Sequence, residues 1–231
     1  LSVAGSKKVI QQNIDQLAAL CLAFKAVTFA PGKASTYENL LSWAKQNNKG
    51  TFVETLSGYA KQLDDLEADY NRMCIGPYRL TVPPYESVWF GTRVLNTRRT
   101  EVVRWFYAQF GLVSNDKEFN EPADYFGYEL EFLGYLAVLI QELSRKGDSD
   151  RTAEAIDWLN AFWAEHLGHW YDKYLQAIAT DSAVEIIRSW AILLQTELSR
   201  LFRDVPLKSM TTGLEEEKVA PPKSMKKDDP S

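Results

Sequence analysis

Cysteine and histidine are scarce in this chain of 231 residues, with two of each. Cys21 and Cys74 alone cannot build a disulfide framework, and they read as two ordinary buried thiols in a reducing compartment. The spaced cysteines of a zinc site, a His-Glu-x-x-His pair, a Gly-rich phosphate loop and a Gly-x-Ser-x-Gly elbow are all missing from the sequence. Long apolar runs are missing too. The longest, Phe132 to Ile140, falls far short of the roughly 20 residues needed to span a bilayer. The first residues, Leu1-Ser-Val-Ala-Gly-Ser-Lys-Lys, lack the charged-then-apolar order of a signal peptide. These absences predict a cytoplasmic protein without stable membrane insertion. Positive charge is not in excess: 26 Lys and Arg against 31 Asp and Glu give a net charge of −5. With no basic block to follow a phosphate backbone, nucleic acid is not an expected partner.

Apolar residues make up 45% of the chain, enough for one core, and aromatics are plentiful: seven Trp, eleven Tyr and eleven Phe. Their spacing is helical. Ile10, Ile14, Leu17, Cys21, Phe24 and Thr28 alternate by four and three, which places them on one helical face. A short helix is predicted over Thr36 to Gln46, and a longer one from Thr51 to about Met73, with Asp64, Asp65, Glu67 and Asp69 mainly outward. Gly76-Pro77 ends that run, and Pro83-Pro84 prevents an immediate restart. Helical pattern returns near Ser87, breaks around Asn96-Thr97, and continues through Val102, Val103, Phe106 and Phe110. After a polar connection from Ser114 to Glu121, Pro122 is expected in the first turn of a helix reaching about Lys146. Glu121, Asp124 and Glu129 lie near its positive end. A long helix is predicted from Arg151 to Ala179, then a last one capped by Asp181 or Ser182, with Ile187, Trp190, Leu194, Leu198 and Leu201 inward. No stretch alternates with period two. The fold class is therefore all-α, a single helical domain over residues 1–205. The Pro-rich, mixed-charge remainder, 206–231, is expected to be a disordered tail, most clearly from Thr211.

Three groups could carry chemistry. His166 and His169 share a helix three residues apart, beside Glu165, but the local sequence offers no third or fourth metal ligand, so packing or hydrogen bonding is the better reading. Asp64 to Asp69 could suggest the magnesium-binding aspartates of a helical prenyl-diphosphate enzyme. No second such motif accompanies it, and a solvated helix face explains it better. The third group is the pair of long connections, Cys74 to Trp89 and Ser114 to Glu129. Both combine rings (Tyr78, Tyr85, Trp89, Tyr125, Phe126) with carboxylates. They could simply be pinned to the core, or they could form an acid-rimmed apolar groove for a peptide whose apolar run lies beside arginines.

Those stretches resemble a known family. The segment Gly76-Pro77 through Pro83-Pro84-Tyr85-Glu86-Ser87-Val88-Trp89 is similar to a signature of the TorD/DmsD/NarJ-type redox-enzyme maturation chaperones. Glu121-Pro122-Ala123-Asp124-Tyr125 resembles that family's Glu-Pro-x-Asp-His, with Tyr125 in place of the usual His. Phe162 to Tyr174, containing His166-Leu167 and Trp170, resembles its third motif. Order and spacing agree over roughly residues 8 to 203. The resemblance implies an all-helical chaperone that is not an enzyme and carries no cofactor or metal. Its expected partner is the apo catalytic subunit of a molybdopterin oxidoreductase, met through the N-terminal twin-arginine leader. Binding would assist cofactor insertion and delay export. The implied peptide-binding residues are Tyr85, Glu86, Trp89, Glu121, Pro122, Asp124, Tyr125 and His166, with Glu121 and Asp124 toward the basic part of the leader. The alternative is a NarJ-like assembly factor for a cytoplasm-facing molybdoenzyme that does not need the leader. Helix exchange between copies keeps a homodimer open.

Overall fold

In a computed structural model, the apolar periodicities become eleven α-helices among the described residues, which are 3–76, 80–91, 95–113 and 121–203, with side chains from residue 10. They are α1 (Val3–Phe24), α2 (Ala26–Phe29), α3 (Ala34–Gln46), α4 (Gly50–Leu56), α5 (Leu63–Cys74), α6 (Glu86–Trp89), α7 (Arg98–Gln109), α8 (Phe126–Arg145), α9 (Ser149–Glu165), α10 (Tyr171–Asp181) and α11 (Glu185–Arg203). Two short 3₁₀ turns, Tyr59–Lys61 and Leu167–His169, interrupt the order. No strand occurs among the described residues, only an isolated bridge between Tyr85 and Tyr125. Tyr78, the connection from Ser114 to Asn120 and the tail from 204 onward lie outside the described residues.

Helix α8 is the central element. It packs on α1 along one side and α9 along another, and its Phe126, Leu130, Leu133, Ala137 and Ile140 are buried, as the sequence pattern predicts. The α1–α8 crossing is close because Gly134 faces Cys21; a Cβ there would sit 2.8 Å from the Cys21 Cβ. Burial raises the Cys21 thiol far above its ordinary range and the Cys74 thiol to about 12, so both remain protonated. Helix α11 closes the core against α10 and α1, with all five expected inward residues buried. No helix of the described residues is long and apolar enough to cross a membrane.

Several elements differ from the sequence expectation. The expected helix over 51–73 is divided into α4, a 3₁₀ turn and α5, because Ser57-Gly58 disfavours continuation. The expected helix over 151–179 ends at Glu165. His166 leaves helical geometry (φ −127, ψ −101), and Gly168 lies so close to the chain that a Cβ would meet the Trp163 carbonyl oxygen at 2.4 Å. Thr28 belongs to α2, beyond a break at Lys25. Ile10, on the expected apolar face of α1, is exposed.

Asp69 is the largest reversal within the acidic run. Instead of facing solvent it is buried, where it accepts the Ser182 hydroxyl at 2.6 Å, the Ala183 and Val184 amides at 3.2 and 3.3 Å, and Arg72 at 3.0 Å. Thus α5 supplies the cap of α11, assisted by Ser182, whose Oγ takes the Val184 amide at 3.2 Å. Burial alone would raise the Asp69 pKa, but Ser182, Arg72 and the two amides outweigh it and hold the carboxyl below its ordinary range. Asp69→Ala is expected to cost about 2 kcal/mol at neutral pH. Because the folded pKa is lowered, that stabilisation is present above the unfolded value near 3.8 and is lost as pH falls through the folded one. Urea unfolding of both proteins at pH 7 and pH 3 checks it: the gap between them should shrink in acid.

Candidate functional site

Pro83-Pro84 keeps the chain after α5 extended, and this stretch lies antiparallel to the chain entering α8. The Glu86 amide donates to the Asp124 carbonyl at 3.0 Å, and the Phe126 amide donates to the Pro84 carbonyl at 2.8 Å. This pairing explains why Pro122 is not in the first turn of α8. Residues 124–126 are held as a bridge, so Pro122 instead accepts the Tyr125 amide at 3.0 Å in a turn ahead of a helix that begins at Phe126.

Side chains lock the pair of connections. The Asp124 carboxylate accepts the Ser87 amide at 2.9 Å and so caps the short α6 from across the bridge. Tyr85 donates to Glu121 Oε2 at 2.6 Å, Trp89 Nε1 to the Pro83 carbonyl at 2.8 Å, and Tyr107 to the Ala123 carbonyl at 2.9 Å. Tyr125 is fully buried, with its hydroxyl donating to the Thr28 carbonyl at 2.5 Å and its ring 5.9 Å from that of Tyr85. Tyr125 is thus a neutral hydrogen-bonding anchor, its pKa raised first by burial.

Glu86 joins the third motif to the other two. Its fully buried carboxylate receives Arg99 at 2.7 Å on Oε1 and contacts His166 Nδ1 at 3.0 Å on Oε2. The turn that ends α9 at His166 is what points the imidazole here. His166 therefore serves as a structural hydrogen-bonding residue, and no group of His, Cys, Asp or Glu among the described residues is arranged to hold a metal.

All eight sequence-nominated residues fall in one contiguous assembly, but their exposure divides them. Glu86, Asp124, Tyr125 and His166 are buried and committed inward, whereas Trp89, Glu121 and Pro122 are half-buried and reach the surface. Tyr85 is buried with its hydroxyl on Glu121. The acid rim expected of Asp124 is consequently not at the surface; Glu121 alone of the nominated carboxylates is.

Sequence reasoning missed Arg99 and Tyr107, and named Trp170 only as part of the third motif, without a partner. The Arg98-Arg99 pair at the start of a helix was the available signal for the first. Trp170 donates to Glu129 Oε2 at 3.0 Å, and Glu129 is fully buried. Burial first, then the negative charge of Glu86 and Asp124, holds the Glu129 carboxyl well above the carboxylate range, against the opposing Trp170 bond. A raised carboxyl pKa favours the fold below the unfolded value, and the advantage is lost as pH rises through the folded one. Glu129→Gln keeps the acceptor for Trp170 and removes this penalty. It is expected to stabilise the protein at pH 7 by about 1 kcal/mol or more and to have little effect near pH 4, as thermal unfolding at the two pH values would read.

A neighbouring groove of about 550 Å³ runs between α1 and α8. Leu22, Phe132, Tyr135 and Val138 line it, and the Lys25–Glu131 ion pair sits at its edge. Tyr128 of its wall contacts the Tyr125 ring at 5.6 Å, which joins the groove to the bridge.

Comparison with known proteins converges on one group. A family model described as nitrate reductase delta subunit matches residues 38–176. A chaperone protein TorD of Aliivibrio salmonicida is 27% identical over 114 residues, 48% of this chain and 51% of the relative. That of Vibrio parahaemolyticus is 29% identical over 113 residues, with shares of 48% and 51%. That of Aliivibrio fischeri is 27% identical over 146 residues, with shares of 62% and 63%. The chain thus spans about half the length of the first curated relatives it matches. The crystal structure of a candidate redox enzyme maturation protein from Archaeoglobus fulgidus superposes with a TM-score of 0.52, over 80% of this chain and 93% of that one, at 18% identity. That likeness establishes a shared fold.

Proposed function

From a chain that belongs to the nitrate reductase delta subunit family, we propose a cytoplasmic chaperone that binds the apo catalytic subunit of a molybdopterin oxidoreductase through its twin-arginine leader. It acts on its client by binding and catalyses no reaction of its own. The name chaperone protein TorD of the curated relatives supports this reading, and the fold shared with the Archaeoglobus redox enzyme maturation protein is consistent with it. The observation that carries it is the bridged pair of connections, which has Glu121, Pro122 and Trp89 half-buried at its surface and touches an apolar groove through the Tyr125–Tyr128 ring contact. Glu121 meets a guanidinium group of the leader by charge-assisted hydrogen bonds. The leader's apolar run is buried against Leu22, Tyr135 and Val138. Glu86, Asp124, Tyr125 and His166 position these surfaces rather than touch the peptide.

A second reading is favoured by the description of the family model itself: a leader-independent assembly factor for a nitrate-reductase-type subunit. Capture of the full-length client subunit, compared with a leader-deleted form, separates the two. The first reading predicts capture of the full-length form alone. Equal capture of both would replace it with the second.

A further inference from the structure

Helices α7 and α9 lie side by side and run in opposite directions. Arg98 and Val102, early in α7, share a cavity of about 500 Å³ with Glu165 at the end of α9, whereas Phe110, just past α7, meets the Trp158 ring two turns earlier in α9, at 5.7 Å. An aromatic seam faces outward between the two helices. Trp105 is 43% exposed, and its ring lies 5.7 Å from that of half-buried Trp158. Val102, one turn before Trp105, and Phe90 across the cavity are exposed as well. The peptide-binding reading makes no use of this face. We infer that a second copy of this chain covers it, in a dimer whose two-fold axis runs along the seam, so that α7 of each copy lies on α9 of the other.

Charge selects this occupant. Helical spacing sets Arg98, Val102, Trp105 and Gln109 on one outward stripe of α7, where the arginine is the sole charge. The outward stripe of α9 beside Trp158 carries Glu154, Asp157 and Glu165. The face is therefore basic on one side of an apolar seam and acidic on the other. Arg98 and Glu165 are both exposed at the cavity, and among the described residues no ion pair joins them. A uniformly basic or uniformly acidic partner would be attracted to one side and repelled by the other.

The face matches its own two-fold image. An axis along the seam exchanges the basic and acidic sides and keeps each residue's level, so Arg98 of one copy faces Glu165 of the other, twice over. The Trp105 and Trp158 indoles of both copies then meet on the axis, which places aromatic rings at the centre and charges at the rim, as in isologous interfaces. An axis across the seam would instead set α9 on α9 and oppose the acids. Helix α7 has 12 residues, a length of about 18 Å. Such a seam is short for the roughly 800 Å² that each partner gives to a standard interface, and a dimer dissociating in the micromolar range is expected.

The test is sedimentation equilibrium of the whole chain over about 1–200 µM, which should show a monomer–dimer equilibrium that weakens as salt is raised. Trp105→Ala should weaken the dimer at least about tenfold; circular dichroism checks that the helices persist. Arg98→Glu and Glu165→Arg, both at exposed positions, should each weaken it several-fold. The double variant carrying both should return to within about twofold of wild type, because each reversed charge again faces its opposite across the axis. A chain that stays monomeric over the whole range, a dimer indifferent to Trp105→Ala, or a double variant no stronger than the weaker single one would overturn the assignment. A monomer whose Trp105→Ala form loses client capture would give the face to the client instead.

Discussion

Replacing Glu86 with alanine should destabilise the protein by about 3 kcal/mol and strip it of client binding. The carboxylate is fully buried and joins Arg99 of α7 to His166 at the end of α9. Its removal leaves both His166 ring nitrogens without a partner among the described residues in a buried site, and that loss cannot be recovered from water. Arg99 is 35% exposed and can turn outward, which keeps the loss at the lower end of the range for broken buried pairs. Glu86→Gln retains the shape and an acceptor, so it should lose less. Urea unfolding of the three proteins reads the order wild type, Gln, Ala. An alanine variant within about 1 kcal/mol of wild type would show that Glu86 does not join the motifs energetically.

The second large effect separates contact from positioning. Asp124→Ala deletes the carboxylate that holds the Ser87 amide at 2.9 Å and releases α6 from the chain entering α8. A charge-assisted bond of this kind is worth about 1.5–3 kcal/mol. Removing the carboxylate also removes its other oxygen, Oδ1, which is buried without a partner among the described residues, so a net loss of about 2 kcal/mol is expected. Leader affinity should fall about tenfold or more, a decade being 1.4 kcal/mol, because Trp89 and Glu121 no longer share a fixed surface. Asp124→Asn offers its amide oxygen to Ser87 and should retain most of the affinity. Were the charge of Asp124 itself meeting an arginine of the leader, Asn would lose as much as Ala.

That distinction marks where the sequence was legible. The inward faces of α8 and α11 follow directly from their 3.6-residue period, and so does the all-helical class. The eight nominated residues converge because the bridge joins the first two motifs and the Glu86–His166 contact joins the third. Their roles were less visible. Asp69 and Asp124 look solvent-facing in sequence because their partners are amides and a hydroxyl contributed from distant segments, which no local pattern encodes. The breaks at Ser57-Gly58 and His166 were missed because apolar spacing continues across both. What stops the second is a local close approach of Gly168 to the Trp163 carbonyl and the long-range pull of Glu86 on His166. Tyr125 illustrates the limit of a motif. The resembled motif marks the position, but the Thr28 carbonyl that the tyrosine serves lies 97 positions away.

The central claim is recognition of a basic–apolar leader by the surface around Glu121. Its most direct measurement is calorimetric titration of the purified full chain with a synthetic twin-arginine leader peptide and with the same peptide carrying Lys-Lys or Gln-Gln in place of the arginines. Saturable binding of the twin-arginine peptide is expected, with weaker binding of the lysine form because an ammonium cannot reproduce the bidentate fork. Glutamine should cost at least about a tenfold loss. Glu121→Gln should abolish that difference. Equal affinity for the three peptides, or no saturable binding of any of them, would contradict it.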